Sequence, residues 1–449
     1  MSIPFWQHQI DAIEYSMNQK SYSLLRMGVA TGKTRTALEI IQRKGFGNVL
    51  IVGTKNSIYT WEKQAKEFGY TFPVKVFTEG SVLNRAFRLR DYFTKETTQY
   101  TSVAVINYEA FSKKVMLDRL VNIPIDCVIF DEVHRLRGHN SKQSKAAYNL
   151  FHKVHKNAFK IGLTGTLIYN KPLDVFGIFR FINPTLFGVS WTNFKYHYGI
   201  WRGKYNQIPV QYINLDDLKN KVLAHSFNVN REDALDLPDE QHIVQEITLA
   251  PKEQAEYNTF NKEFVLLMNE YREKAIPAKN VLDKVNKLQQ LTGGFIYENQ
   301  ETHFFSSAKQ EALIELLEEV TDNVVVFYKF KAEKELIKNA VKSLDRRCYF
   351  VDGSQSDYDA WLTDPVPSVL VVQISSGSEG IDFTKSNTTI FYSLVYSYGQ
   401  FEQATGRTSR PNQKKDKVLY YYLVVKNTVD EKIMKSLQEK KDLIEELTN

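Results

Sequence analysis

A chain of 449 residues is too long for one ordinary core and suits two or three domains. Hydrophobic content of 43% and charged content of 24% are those of a globular chain, so disorder is not the default, and two cysteines exclude a disulfide framework or a cysteine-rich zinc site. A net charge of +6 permits nucleic-acid binding without requiring it.

Along the chain, the amino terminus Met1-Ser2-Ile3-Pro4-Phe5-Trp6-Gln7-His8-Gln9 lacks a basic stretch followed by an apolar core. No apolar segment is long enough to cross a bilayer, so a cytoplasmic protein with no membrane partner is expected. Short apolar runs rich in β-branched residues then alternate with helical patterns: Val49–Val52, Ser102–Ile106, Cys127–Phe130 and Lys160–Leu163. From Thr192 to Phe295 the character changes. Pro251-Lys252-Glu253-Gln254 opens a helix whose apolar stripe is Tyr257, Phe260, Phe264, Leu267 and Met268. Val281, Val285, Leu288 and Leu291 repeat the pattern, and Gly293-Gly294 stops it. Further strand-like runs follow at Asn323–Phe327, Cys348–Val351, Val369–Val372, Thr389–Tyr392 and Val418–Val424. Runs that are apolar without alternation are strands covered on both faces by helices. An α/β fold with two parallel-sheet domains and a helical bridge is expected, divided as residues 1–190, 191–295 and 296–449. Cys127 and Cys348 sit in apolar stretches and read as buried small hydrophobes.

Three clusters carry chemistry. Val29-Ala30-Thr31-Gly32-Lys33-Thr34 is a small-residue loop opening a helix with Ala37, Ile40 and Ile41 on one face. Such a loop aims backbone N–H groups and a positive dipole end at phosphate. Lys33 would reach the outer phosphates and the Thr34 hydroxyl would hold magnesium. The usual first glycine falls on Met27, with Gly28 beside it, and the plainer reading is a loop that caps a helix. Asp131-Glu132 follows the run Cys127–Phe130, where open parallel sheets bind ligands. Asp131 would hold magnesium and Glu132 would orient and deprotonate a water. An acidic helix cap would explain one of these carboxylates better than both. Arg407 and Arg410, three residues apart, would share a helix face and steady charge on a transferring phosphoryl group, although two arginines on a helix are usually just solvated.

The order of motifs resembles that of superfamily 2 helicases, in particular the Swi/Snf-type translocase branch. Trp6-Gln7-His8-Gln9 resembles the adenine-recognising glutamine motif, and Leu50–Thr54 followed by Trp61-Glu62 resembles motif Ia and its sequel. Val105–Glu109 is similar to motif Ib, Asp131-Glu132-Val133-His134-Arg135-Leu136 to motif II, and Gly162–Thr166 with Asn170 and Asn183-Pro184 to motif III. Arg231-Glu232-Asp233 with Leu237-Pro238 continues the likeness. Asn323–Phe330, Gly377–Phe383 and Gln403–Arg410 resemble motifs IV, V and VI. The departures are Val133, Leu167 and the loop from Met27 to Thr31.

The resemblance implies two RecA-like domains that use ATP and Mg2+. Gln9, Gly32, Lys33, Thr34, Gly380 and Asp382 would contact nucleotide, with Gln403, Arg407 and Arg410 joining Lys33, Asp131 and Glu132 in catalysis. Thr54, Lys55, Asn107, Tyr108, Ser375 and Ser376 would lie near nucleic acid, and His134, Thr164, Gly165 and Thr166 would couple the domains. In size the chain is similar to compact bacteriophage branch-migration helicases. The function implied is a DNA helicase or translocase acting on forked or recombination intermediates, with replication or recombination proteins as possible partners. An RNA helicase, or a nucleic-acid-binding subunit that separates no strands, are the alternatives.

Overall fold

The computed structural model describes residues 4–95, 101–202, 208–274, 278–298, 301–304, 306–377 and 381–448. The chain separates into two compact units: residues 1–199, 212–235 and 444–449, and residues 200–211 and 236–443.

The first unit is built on a seven-stranded sheet. Its strands are β1 (Tyr22–Met27), β2 (Asn48–Gly53), β3 (Val74–Val76), β4 (Ser102–Asn107), β5 (Cys127–Asp131), β6 (Phe159–Thr164) and β9 (Phe227–Val229), in the order β3-β4-β2-β5-β6-β1-β9. Every pairing is parallel. All residues of β4, β5 and β6 are buried, as continuous apolar runs demand when helices cover both faces. Parallel strands bring all carboxyl ends to one edge, so the loops after β1, β2, β4, β5 and β6 gather there. Two short strands, β7 (Gly199–Arg202) and β8 (Ile208–Tyr212), form a separate ribbon.

The second unit carries a six-stranded sheet of β10 (Asp239–Ile247), β13 (Val324–Tyr328), β14 (Arg347–Val351), β15 (Ser368–Gln373), β16 (Thr388–Phe391) and β17 (Lys417–Val425), ordered β10-β17-β16-β13-β15-β14 and again parallel throughout. The hairpin of β11 (Phe295–Glu298) and β12 (Glu301–Phe304) is antiparallel.

The expected helices of the middle segment run Pro251–Lys274 and Ala278–Thr292. They are held to the second unit: the Tyr257 hydroxyl accepts from the Val429 amide at 2.7 Å, and Gln289 donates to the Leu394 carbonyl at 2.9 Å. Tyr257, Val285, Leu288 and Leu291 are buried, but Phe260 is exposed, so the packing stripe is narrower than its spacing predicts. The side chains of Phe264, Leu267, Met268 and Val281 lie outside the described residues. Gly294 ends the second helix at φ +88°, and a Cβ there would stand 2.3 Å from the Ser306 carbonyl oxygen, so only glycine fits without strain. Beneath these helices Lys309 and Asp430 form a fully buried ion pair at 2.7 Å. The Thr292 hydroxyl and the Val425 amide supply further donors to Asp430. Cys127 is buried, Cys348 is half-buried, and both are free thiols.

Candidate ATP site and its partners

The loop between β1 and the helix Lys33–Lys44 turns through two left-handed residues, Ala30 at φ +68° and Gly32 at φ +81°. Gly32 is required twice over, because a Cβ there would stand 2.1 Å from Nε2 of Gln9. Gln9 reads the loop backbone: its Nε2 donates to the carbonyls of Thr31 and Gly32 at 3.5 and 3.4 Å, and its Oε1 accepts from the Trp6 amide at 3.0 Å. His8, which precedes Gln9 in the glutamine motif, bonds the Thr31 carbonyl at 2.9 Å. The Lys33 ammonium folds back onto the carbonyls of Met27 and Gly28, each at 3.0 Å. It therefore sits over the loop, where a phosphate would replace those carbonyls. Thr34 is half-buried in the first turn of the helix.

One strand away from β6, the end of β5 delivers the acids. Asp131 is buried, and Trp61 Nε1 donates to its Oδ2 at 3.4 Å. Burial, and then the charge of Glu132, push its carboxyl up to about 6 against the opposing pull of Ser57, Lys33 and Trp61. Glu132 takes a left-handed backbone at φ +54°, uncommon for a residue with a side chain and a mark of local strain. Its carboxylate lies 3.2 Å from His134 Nδ1, and that same nitrogen is 3.2 Å from the Thr164 hydroxyl. Thr164 in turn donates to the Thr166 carbonyl at 2.9 Å and accepts from the Thr166 amide. His134 also stacks on Tyr169, with ring centroids 4.5 Å apart. A Cβ on Gly165 would fall 3.7 Å from Lys33 Nζ, which places this segment beside the phosphate loop. Lysine, acid pair, histidine and threonine loop thus meet at one sheet edge. The buried Asp131 carboxylate, raised by its half-buried neighbour Glu132, and the Thr34 hydroxyl in the helix after the loop are hard oxygens of the kind that suit Mg2+.

Several expected positions lie elsewhere than the motif order suggests. Tyr108 is completely buried; its hydroxyl donates to the carbonyls of Asp131 and Glu132 at 2.9 and 3.1 Å. It supports the strand end that carries the acids and is closed to solvent. Thr54 is likewise buried, its hydroxyl exchanging hydrogen bonds with Ser57. Asn107 is buried, with its amide donating to Glu109 at 2.7 Å. Lys55 and Ser375 are exposed. Gly380 and the side chain of Ser376 lie outside the described residues.

In the second unit the helix Tyr398–Thr405 stops before the arginines. Arg407 and Arg410 stand in the following turn and not on a helix face, because Gly406 caps the helix and Pro411 disfavours a helical residue before it. Arg407 is buried, and its carbonyl accepts from the Phe383 amide at 3.0 Å. Arg410 binds Asp382 at 3.0 Å, so that carboxylate, expected at the nucleotide, is already held within its own unit. Gln403 is buried, and its Oε1 has no hydrogen-bond partner among the described residues.

A phosphate loop and acid pair on one parallel sheet, and an arginine turn on a second, define a nucleoside triphosphatase core of helicase type. Family models agree: residues 8–293 match the SNF2-related domain and residues 308–412 the helicase conserved C-terminal domain. The chain belongs to the SNF2-related family. It is 23% identical to an uncharacterized ATP-dependent helicase of Mycoplasma pneumoniae, covering 88% of this chain and 36% of that protein. A second uncharacterized ATP-dependent helicase, of Bacillus subtilis, is 26% identical over 73% of this chain and 60% of its own length. The protein p41 of Acyrthosiphon pisum secondary endosymbiont phage 1 is 23% identical, with 92% and 91% covered, so a phage chain of similar compass exists. The chain thus spans about a third to three fifths of the two bacterial helicases.

Sequence reasoning did not mark Ser57 or Tyr169 as parts of the site, and it included His8 only as the neighbour of Gln9 in the glutamine motif. Only Ser57 left a signal, standing just past the end of a strand that pairs with β5.

Proposed function

We propose that the chain is an ATP-driven DNA translocase or helicase that acts on forked or recombining DNA. The observation that carries this reading is the linked set Lys33, Asp131, Glu132, His134 and Thr164 at one sheet edge. Bound magnesium would neutralise phosphate charge from the oxygens of Asp131 and Thr34. Glu132, aligned by His134, takes the proton of the attacking water, and Lys33 leaves the loop carbonyls for the outer phosphates. Because His134 also bonds Thr164, a change at Glu132 is transmitted to the loop Thr164–Thr166, which supports a coupling role for Thr164, Gly165 and Thr166. Arg407, Arg410 and Gln403 of the second unit are the further groups that the order of motifs assigns to catalysis. Exposed Lys55 and Ser375 are the described positions best suited to touch a phosphate backbone, which makes DNA binding salt-sensitive. Replication or recombination proteins in a bacterial or phage-infected cytoplasm are the fitting partners.

The test is phosphate release by the purified chain with duplex DNA, forked DNA and RNA, beside Lys33→Ala. DNA-stimulated turnover that Lys33→Ala abolishes is expected. Stimulation by RNA alone would make it an RNA helicase, and turnover untouched by Lys33→Ala would overturn the site.

A further inference from the structure

The first unit contains an open cavity of about 530 Å³ whose lining residues the proposed ATP site does not use. Its walls come from the segments on either side of the coupling residues: Arg137 and His139 follow His134, while Asn170, Lys171 and Asp174 follow Thr166. Trp191 closes one side, lying 4.3 Å from the His139 ring in a stacked pair. The cavity is electropositive. Burial, then Arg180, Lys171 and Lys145, hold the His139 imidazolium below its ordinary range. The carboxylate in the wall, Asp174, is turned to its own backbone and accepts from the amides of Asn170 and Lys171 at 2.8 and 3.2 Å. The Lys171 side chain is exposed at the rim. The Asn170 Oδ1 is buried and has no hydrogen-bond partner among the described residues, an acceptor that costs free energy until a donor meets it.

The volume falls among small-molecule sites of roughly 300–1,000 Å³ and is too large for a bare phosphate. Cations and a stacked aromatic pair together match a phosphate and a base. We propose that this cavity is a second, non-hydrolytic site for a nucleoside phosphate, either a free mononucleotide or the terminal nucleotide of a strand. Arg137 and Lys171 hold the phosphate, and the base lies against the stacked His139–Trp191 pair. Occupancy joins the segment after Glu132–His134 to the segment after Thr164–Thr166, so the ligand tightens the link between the catalytic acid and the coupling loop.

The test uses the full chain carrying Lys33→Ala, which disarms the phosphate loop, with and without Lys171→Glu. AMP and a 5′-phosphorylated tetrathymidylate are titrated separately by calorimetry, and melting curves check the fold. The expected result is binding that Lys171→Glu weakens at least about tenfold, as for a charge-assisted hydrogen bond turned to repulsion. Weakening of AMP identifies the free nucleotide, and weakening of the tetranucleotide alone identifies a strand end. Affinities unmoved by Lys171→Glu, or no binding of either probe, overturn the proposal. Loss of ATP hydrolysis in Lys33→Ala, the test of the catalytic reading, is independent of both outcomes.

Discussion

Asp131 in the first unit and Asp382 in the second are both acids in functional motifs, yet they are held in opposite states. Burial raises both. At Asp131 the neighbouring charge of Glu132 raises it further, up to about 6. At Asp382 the Arg410 guanidinium and bonds from Thr384 and Asn412 outweigh burial and hold the carboxyl below its ordinary range. The first unit therefore leaves an acid pair short of positive charge, which invites a divalent cation and a water. The second unit satisfies its acid internally and uses it to fix an arginine. One carboxylate is held high by burial and a like charge, the other is held low by an arginine.

The comparison is tested most severely at Glu132. Glu132→Gln keeps the shape and removes the base, and DNA-stimulated turnover in a phosphate-release assay should fall by about 10²–10⁴-fold with melting unchanged. If Asp382→Asn lowered turnover as far, the distinction between the two acids would be lost. Next in size is the buried pair of the second unit. Asp430→Asn leaves Lys309 charged in the interior, and equilibrium denaturation should show a loss of about 3–5 kcal/mol, while the same measurement on Glu132→Gln should show little change. Gly32→Ala strains the left-handed loop and drives a Cβ into Gln9, so nucleotide binding measured by titration should weaken by about 1–3 kcal/mol.

The smallest effect sharpens the contrast through pH. Because the folded pKa of Asp382 is lowered, its stabilisation is present above the unfolded carboxylate range and is lost as pH falls through the folded value. Unfolding free energies of the chain and of Asp382→Asn, from equilibrium denaturation, should differ by no more than about 1 kcal/mol near neutrality and converge in acid. A gap that widened on acidification would contradict the assignment of Arg410 as its partner.

Much of the framework was legible because its strands are unbroken apolar runs. Val49–Val52, Cys127–Phe130 and Val369–Val372 lie inside β2, β5 and β15. Strands that carry polar residues were not legible. β1 includes Ser23 and Arg26, and β10 reads Asp239-Glu240-Gln241-His242 at its start, mostly exposed at a sheet edge. Their polar side chains break the apolar pattern, and only pairing with β6 and β17 reveals them as strands. Likewise, the three-residue spacing of Arg407 and Arg410 implied a shared helix face, but Gly406 and Pro411 end the helix first.

The sequence by itself determined the loop that can cradle phosphate, the acids that follow β5, the two parallel-sheet units and the family, since these depend on local residue chemistry and apolar runs. Tertiary structure alone decided that Tyr108 lies beneath the acids, that His134 joins Glu132 to Thr164, and that Arg410 closes on Asp382. Each of those contacts joins residues through the way strand ends and turns are brought together, and the polarity of a lone side chain does not say which backbone or charge it will meet when the chain closes around it.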